Sequence, residues 1–210
     1  MKKHTGSLQS ETFYHVFNRG INREDLFKTE ENYVFFLHKY AAYIEPVATT
    51  YAYCLLKNHF HLLVRTKSEE EILRNLVDVK DLVDVNHKPV SFYISNQFAK
   101  LFNSYTQSIN KANNRTGGLF ETPFRRIEVN NDAYFSKLIT YIHLNPQQHG
   151  LTADFRDYMH SSYHSHLHLK TTRLQREQVL NWFGNAEQYK QQHSLTIIEK
   201  EANNWAIDFD

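Results

Sequence analysis

The feature that most limits the fold is a break of two residues, Lys57-Asn58, between two long runs of strand character. Residues 47–56 and 59–66 are rich in apolar, β-branched and aromatic side chains, and so short a connection suits an antiparallel hairpin. Residues 12–18 read T-F-Y-H-V-F-N and are closed by Arg19-Gly20, another strand. Between them, Thr29-Glu30-Glu31 offers an N-cap with acids in the first turn. Val34, Phe35, Leu37, Tyr40, Ala41 and Ile44 then recur at helical spacing, and Pro46 lies just past the end.

Downstream, 69–85 is weakly helical and is broken at Asn86-His87-Lys88-Pro89, while 91–110 regains helical spacing. A Gly-rich turn at 113–118 leads to strand character over 119–129. Asn130-Asn131-Asp132 caps a helix from Ala133 to about Leu144, which Pro146 and Gly150 are expected to end. This order predicts an α+β, ferredoxin-like (RRM-like) antiparallel sheet with helices on one face. A length of 210 residues suits one such domain, 12–150, followed by a C-terminal helical extension, 151–210. The extension opens with a His-, Tyr- and Ser-rich stretch, continues as a helical segment or pair over 174–191, and ends in a polar stretch anchored by Trp205.

Composition narrows the setting. Cys54 is the single cysteine, so no internal disulfide forms and a reducing compartment fits. No apolar run approaches 18 residues and the opening stretch has no apolar signal core, which predicts a cytoplasmic protein. A net charge of +1 excludes a polycationic coat for DNA, so any nucleic-acid site must be a local concentration of Lys and Arg. Lys111, Arg115, Arg125 and Arg126 flank the Gly-rich turn, with Arg19, Arg23, Lys57 and Arg65 on other segments. These read either as phosphate contacts or, since Glu121 and Glu128 interleave, as ordinary solvated charge.

Two short patterns carry chemistry. His59-Phe60-His61 opens a strand, so both imidazoles share a face, about 7 Å apart by strand rise, while Phe60 points the other way. Two such rings can converge on one divalent metal or can simply be polar residues on a solvated face. Tyr141 and Asn145 are four apart and share one face of a helix, with His143 pointing roughly opposite. Tyr141 is either core-facing or a nucleophile. A phenol with a free pKa of about 10 acts as a nucleophile only beside a charge or a polarised electrophile, which a cation held by both histidines and the Asn145 amide would supply.

Taken together, these patterns resemble the single-tyrosine HUH transposases of bacterial insertion sequences, and especially the REP-associated tyrosine transposases. The segments carrying the resemblance are Y-H-V-F-N-R-G from Tyr14, K-N-H-F-H-L-L-V from Lys57, G-G-L-F-E-T-P-F-R-R-I from Gly117 and Y-I-H-L-N-P-Q-Q-H-G from Tyr141, with D-Y-M-H-S-S-Y from Asp157 fainter. The resemblance implies Tyr141 as nucleophile, with His59, His61 and Asn145 as ligands of Mg²⁺ or Mn²⁺. It implies cleavage of single-stranded or hairpin DNA through a 5′-phosphotyrosine with a free 3′-OH, followed by rejoining. Relatives pair active sites across a homodimer or act alone. This chain departs from the pattern at Lys57, where relatives often carry proline, in an apparent insertion at about 78–90, and in lacking a long basic tail.

Three rival features remain. Tyr105 is a second candidate nucleophile, but its neighbours Phe98, Leu101, Phe102 and Ile109 give it core character. His164, His166 and His168 form another cluster, expected to face the surface or DNA. A non-catalytic single-stranded nucleic-acid binder using an RRM-like sheet is the alternative function, although no aromatic RNP-type signature is evident.

Overall fold

The computed structural model describes residues 5–76 and 88–203; the expected insertion and Trp205 fall largely or wholly outside them. The elements run β1 (Phe13–Arg19), α1 (Glu30–Ile44), β2 (Ala48–Leu55), β3 (His59–Thr66), α2 (Glu69–Leu76), α3 (Val90–Ala112), β4 (Arg125–Glu128), α4 (Asp132–Gln148), α5 (Arg176–Phe183) and α6 (Ala186–Asn203). The strands form one antiparallel sheet in the order β2-β3-β1-β4. This is the ferredoxin-like arrangement that the hairpin and element order predict.

Strand alternation divides the side chains between two cores. Tyr14 and Val16 of β1, with Phe60, Leu62 and Val64 of β3, pack under α1 and α3 against Phe36, Ile94, Phe98, Leu101 and Tyr105. Burying each large apolar side chain of this kind contributes about 1.5–3 kcal/mol. The opposite face is covered as well. Cys54 of β2 and Leu63 of β3 pack against Ile139 and Ile142 of α4, and the same cluster takes in Val179 and Phe183 of α5 and Tyr189 of α6. Helices therefore sandwich the sheet, and the residues after 150 share the core of α4.

Local chemistry sets the boundaries. The backbone N–H of Thr29 donates to Asn32 Oδ1 at 3.3 Å, closing the start of α1. Gly20 follows β1 because a Cβ there would meet the Glu24 carbonyl oxygen at 2.1 Å. The exposed edge of β2 is covered by the later chain: the Leu55 amide donates to the His160 carbonyl, and the Gln175 amide to the Thr50 carbonyl. β4 is shorter than the strand expected over 119–129.

Pro146 does not end α4. It lies inside the helix, which runs to Gln148. The helix closes where Gly150 adopts φ +66°, with Gly150 N–H donating to the Gln147 carbonyl and Leu151 N–H to that of Pro146. One helical line therefore carries Tyr141, Asn145 and His149.

Candidate active site

β1 and β3 pair so that Arg19 faces His59, Phe17 faces His61 and His15 faces Leu63. Alternation puts His15, Phe17, Arg19, His59 and His61 on the face beneath α4. The Tyr141 ring stands edge-on to His61 with centroids 5.6 Å apart, and to His15 at 6.1 Å. Two turns later the His149 ring meets His59 at 4.8 Å. Asn145 lies on the same helical line, one turn from each contact. Tyr141, His59, His61 and Asn145 are all buried, and ring contacts join Tyr141 to His61 and His61 to His59.

The imidazoles are oriented from behind. Asn58 Nδ2 faces the Arg23 carbonyl, so its Oδ1 is left to accept from His59 Nδ1–H at 2.7 Å, which puts the lone pair of His59 on Nε2. His61 Nδ1 lies 3.0 Å from His15 Nε2. His61 Nε2 is buried without a hydrogen-bond partner, and so is Asn145 Oδ1, while Asn145 Nδ2 donates to the Tyr141 carbonyl. Burial, followed by the neighbouring His15 and His59, holds His61 well below the usual imidazole range, so it is neutral and able to ligate. Among the described residues no three His, Cys, Asp or Glu side chains are grouped to hold a metal ion. The donor set here is instead two imidazole nitrogens and an amide oxygen, with two unpartnered buried atoms, His61 Nε2 and Asn145 Oδ1. It fits a divalent cation of Mn²⁺ type.

The cationic residues divide. Arg19 and Arg125 line a recess of about 10 Å³ with Phe17, Asn18, His59, Phe60 and Glu121. Arg125 lies 5.9 Å over the Phe17 ring and 3.4 Å from Glu121, at the edge of the histidine layer. Lys57 is exposed in the β2–β3 turn, where its carbonyl accepts from the Leu26 and Phe27 amides. Lys111 is exposed on the last turn of α3. Arg115 donates to Asn110, Glu24 and the Gly118 carbonyl and thereby ties down the Gly-rich turn. Arg126 donates to the carbonyls of Thr5, Gly6 and Phe124 on the other side of the sheet.

The rival features divide: Tyr105 and His166 belong to the core, whereas His164 is half-buried and His168 exposed. Tyr105 is fully buried and donates to the Leu26 carbonyl at 2.7 Å. His166 is buried, where a surface position was expected, because the 164–166 turn packs its middle cluster member toward His143 and Tyr189. His164 donates from Nε2 to the Arg156 carbonyl, and its ring meets that of His168. Sequence reasoning passed over His15, Asn58 and His149 as site residues. The alternation of Phe13, His15 and Phe17 was a usable signal for the first, and the spacing of four from Asn145 for the last.

No family model matches the chain, and no curated protein matches it in sequence. In structure it is similar to a REP-associated tyrosine transposase solved bound to a REP hairpin. The TM-score is 0.58 at 15% identity, over 80% of this chain and 86% of that one. The chain thus has the fold of a tyrosine transposase, with a four-stranded antiparallel sheet and flanking helices. No described helix is long and apolar enough to cross a membrane.

Proposed function

We propose that this chain is a transposase-like enzyme that cuts and rejoins single-stranded DNA at hairpins, working on DNA in the cytoplasm with Tyr141 as its nucleophile. The observation that carries this reading is the meeting of Tyr141 with His61 beneath α4, beside two buried polar atoms that lack protein partners. The similar transposase bound to a REP hairpin supports hairpin DNA as the substrate class.

In this reading Tyr141 Oη attacks the scissile phosphorus, the P–O3′ bond breaks, the phenol proton passes to solvent and the departing 3′-oxygen takes up a proton as a free 3′-OH. The reverse attack by a 3′-OH expels Tyr141 and restores a phosphodiester, so no external energy source is needed. His59, His61 and Asn145 would hold Mg²⁺ or Mn²⁺, which when bound supplies Lewis-acid stabilisation of charge on the phosphate oxygens. Asn58 keeps His59 in the ligating tautomer, and Arg19 and Arg125 lie where the flanking phosphates would enter.

The alternative of a non-catalytic RRM-like binder needs an open sheet face on which bases can stack. Both faces here are packed under helices. The deciding test is incubation with labelled hairpin DNA and Mn²⁺, read on a denaturing gel. A covalent protein–DNA band is expected from the native chain and none from Tyr141→Phe, which should still bind the DNA. An adduct that persists in Tyr141→Phe would overturn the assignment.

A further inference from the structure

The site's least expected member is His15, which lies too deep to meet DNA. Its Nε2 sits 3.0 Å from His61 Nδ1, with both rings buried and stacked at 5.2 Å. Phe17 stacks on both, 4.9 Å from His15 and 5.7 Å from His61, so neither ring is free to turn. Only one proton can occupy the His15–His61 hydrogen bond, and its placement decides what His61 offers on its other side. If His15 donates, His61 carries its proton on Nε2, a buried N–H with no acceptor. If His61 donates, its Nε2 presents a lone pair toward the space beneath α4. The two arrangements differ in which ring carries its second N–H into the buried layer, His61 on Nε2 in the first and His15 on Nδ1 in the second, and only the second leaves the site open to a cation.

We propose that His15 is a positioning residue that accepts the His61 Nδ1 proton and so fixes His61 in the one tautomer able to ligate a divalent cation. This rests on the proposed function for its purpose, but the tautomer itself belongs to the metal-free protein. His15 does for His61 what the Asn58 amide does for His59. The difference is that an amide oxygen can only accept, whereas an imidazole nitrogen can do either, so His15 must hold its own proton on Nδ1. It reaches His61 across the β1–β3 ladder as the diagonal neighbour of the pair Phe17 and His61.

The experiment uses the full chain as wild type, His15→Gln and His15→Phe. Nitrogen-15 NMR of the metal-free proteins reads the His61 tautomer, calorimetric titration with Mn²⁺ reads affinity, and the hairpin-adduct assay reads activity. Wild type is expected to show His61 protonated on Nδ1. His15→Phe, which keeps the ring's bulk but removes the acceptor, should weaken Mn²⁺ binding 10–100-fold, the range for lost outer-sphere partners. His15→Gln, whose amide oxygen can accept, should stay within about threefold of wild type, which a purely packing role would not predict. A wild-type His61 carrying its proton on Nε2 would overturn the proposal even if both variants failed to fold. So would His15→Phe binding Mn²⁺ as wild type does. A wild type that shows the expected tautomer yet forms no DNA adduct would instead overturn the proposed function and leave the His15 assignment standing.

Discussion

Two groups of buried histidines sit on opposite sides of α4, and they are built to opposite ends. On the side of Tyr141 and Asn145, His61 gives one nitrogen to His15 and leaves the other without a partner. On the side of His143, the protons run in a closed chain. Tyr53 N–H donates to Ser162 Oγ at 2.9 Å, and Ser162 lies 2.7 Å from His143 Nε2. His143 Nδ1 lies 2.9 Å from His193 Nε2, and His193 Nδ1–H ends the chain on the Tyr189 carbonyl at 2.7 Å. The backbone groups at the two ends fix every proton between them. All four ring nitrogens of His143 and His193 are spent inside the protein, so this group fastens α6 to α4 and β2. A serine beside two histidines invites a catalytic reading, but Ser162 is fully buried and its neighbours have no proton to spare.

The sharpest way to break this comparison is to remove one member from each side. His61→Ala should lower adduct formation by about 10³-fold or more, several kcal/mol of lost charge stabilisation, while changing unfolding stability by less than about 2 kcal/mol. His193→Phe should do the reverse. It removes the nearer acceptor of His143 Nδ1–H, leaving the Tyr189 hydroxyl at 3.2 Å, and breaks the link from α4 to α6, which should cost about 1 kcal/mol in urea unfolding and leave adduct yield per folded molecule nearly unchanged. If His193→Phe abolishes the adduct in folded protein, the two groups are not independent.

How legible each group was follows from the length scale of its determinants. The strand order could be read because Lys57-Asn58 is a purely local signal, and Tyr141 with Asn145 because a spacing of four is fixed by the helix alone. Pro146 was misread for a related reason: a local rule against proline inside a helix gave way to the packing of α4 against β2 and α6. Alternation could place His15 on the histidine face, but not its partner, which is set by β1–β3 register, a pairing across 46 residues. The chain through His143 and His193 spans 50 residues and depends on where α6 docks. The packing of α4 through Ile139 and Ile142 on Cys54 and Leu63 likewise joins residues far apart in sequence.

A smaller effect tests the neutral state of the structural group. Burial pushes His193 down to about 3 and His166 down to about 4, against about 6.5 for an exposed imidazole. Below pH 6.5 the unfolded chain therefore binds protons that the folded chain refuses, so the stability these rings contribute is complete above pH 6.5 and shrinks as the pH falls toward 4 and then 3. By pH 5 the loss is on the order of 2 kcal/mol per ring. Unfolding curves at pH 7 and pH 5 should show it, and His193→Phe should remove about half of the pair's share. An equal pH dependence in wild type and His193→Phe would mean that His193 is charged in the fold.

The same contrast between open and spent donors divides the arginines, with the smallest effects. Arg125 touches one acid, Glu121, at 3.4 Å, and both side chains are well exposed, a pairing worth no more than about 1 kcal/mol and easily exchanged for a phosphate. Arg126 is half-buried with Nε and both terminal nitrogens on backbone carbonyls, two of them in the segment before β1. Arg125→Ala should therefore weaken binding of Tyr141→Phe protein to hairpin DNA a few-fold and reduce the salt slope of binding by about 1. Arg126→Ala should leave both unchanged and instead lower the melting temperature by a few degrees, the cost of releasing the Thr5–Gly6 segment from β4. A salt slope that falls with Arg126→Ala and not with Arg125→Ala would return the phosphate contact to the other face of β4. DNA would then have to pass on the α3 side of the sheet, away from the histidine pair.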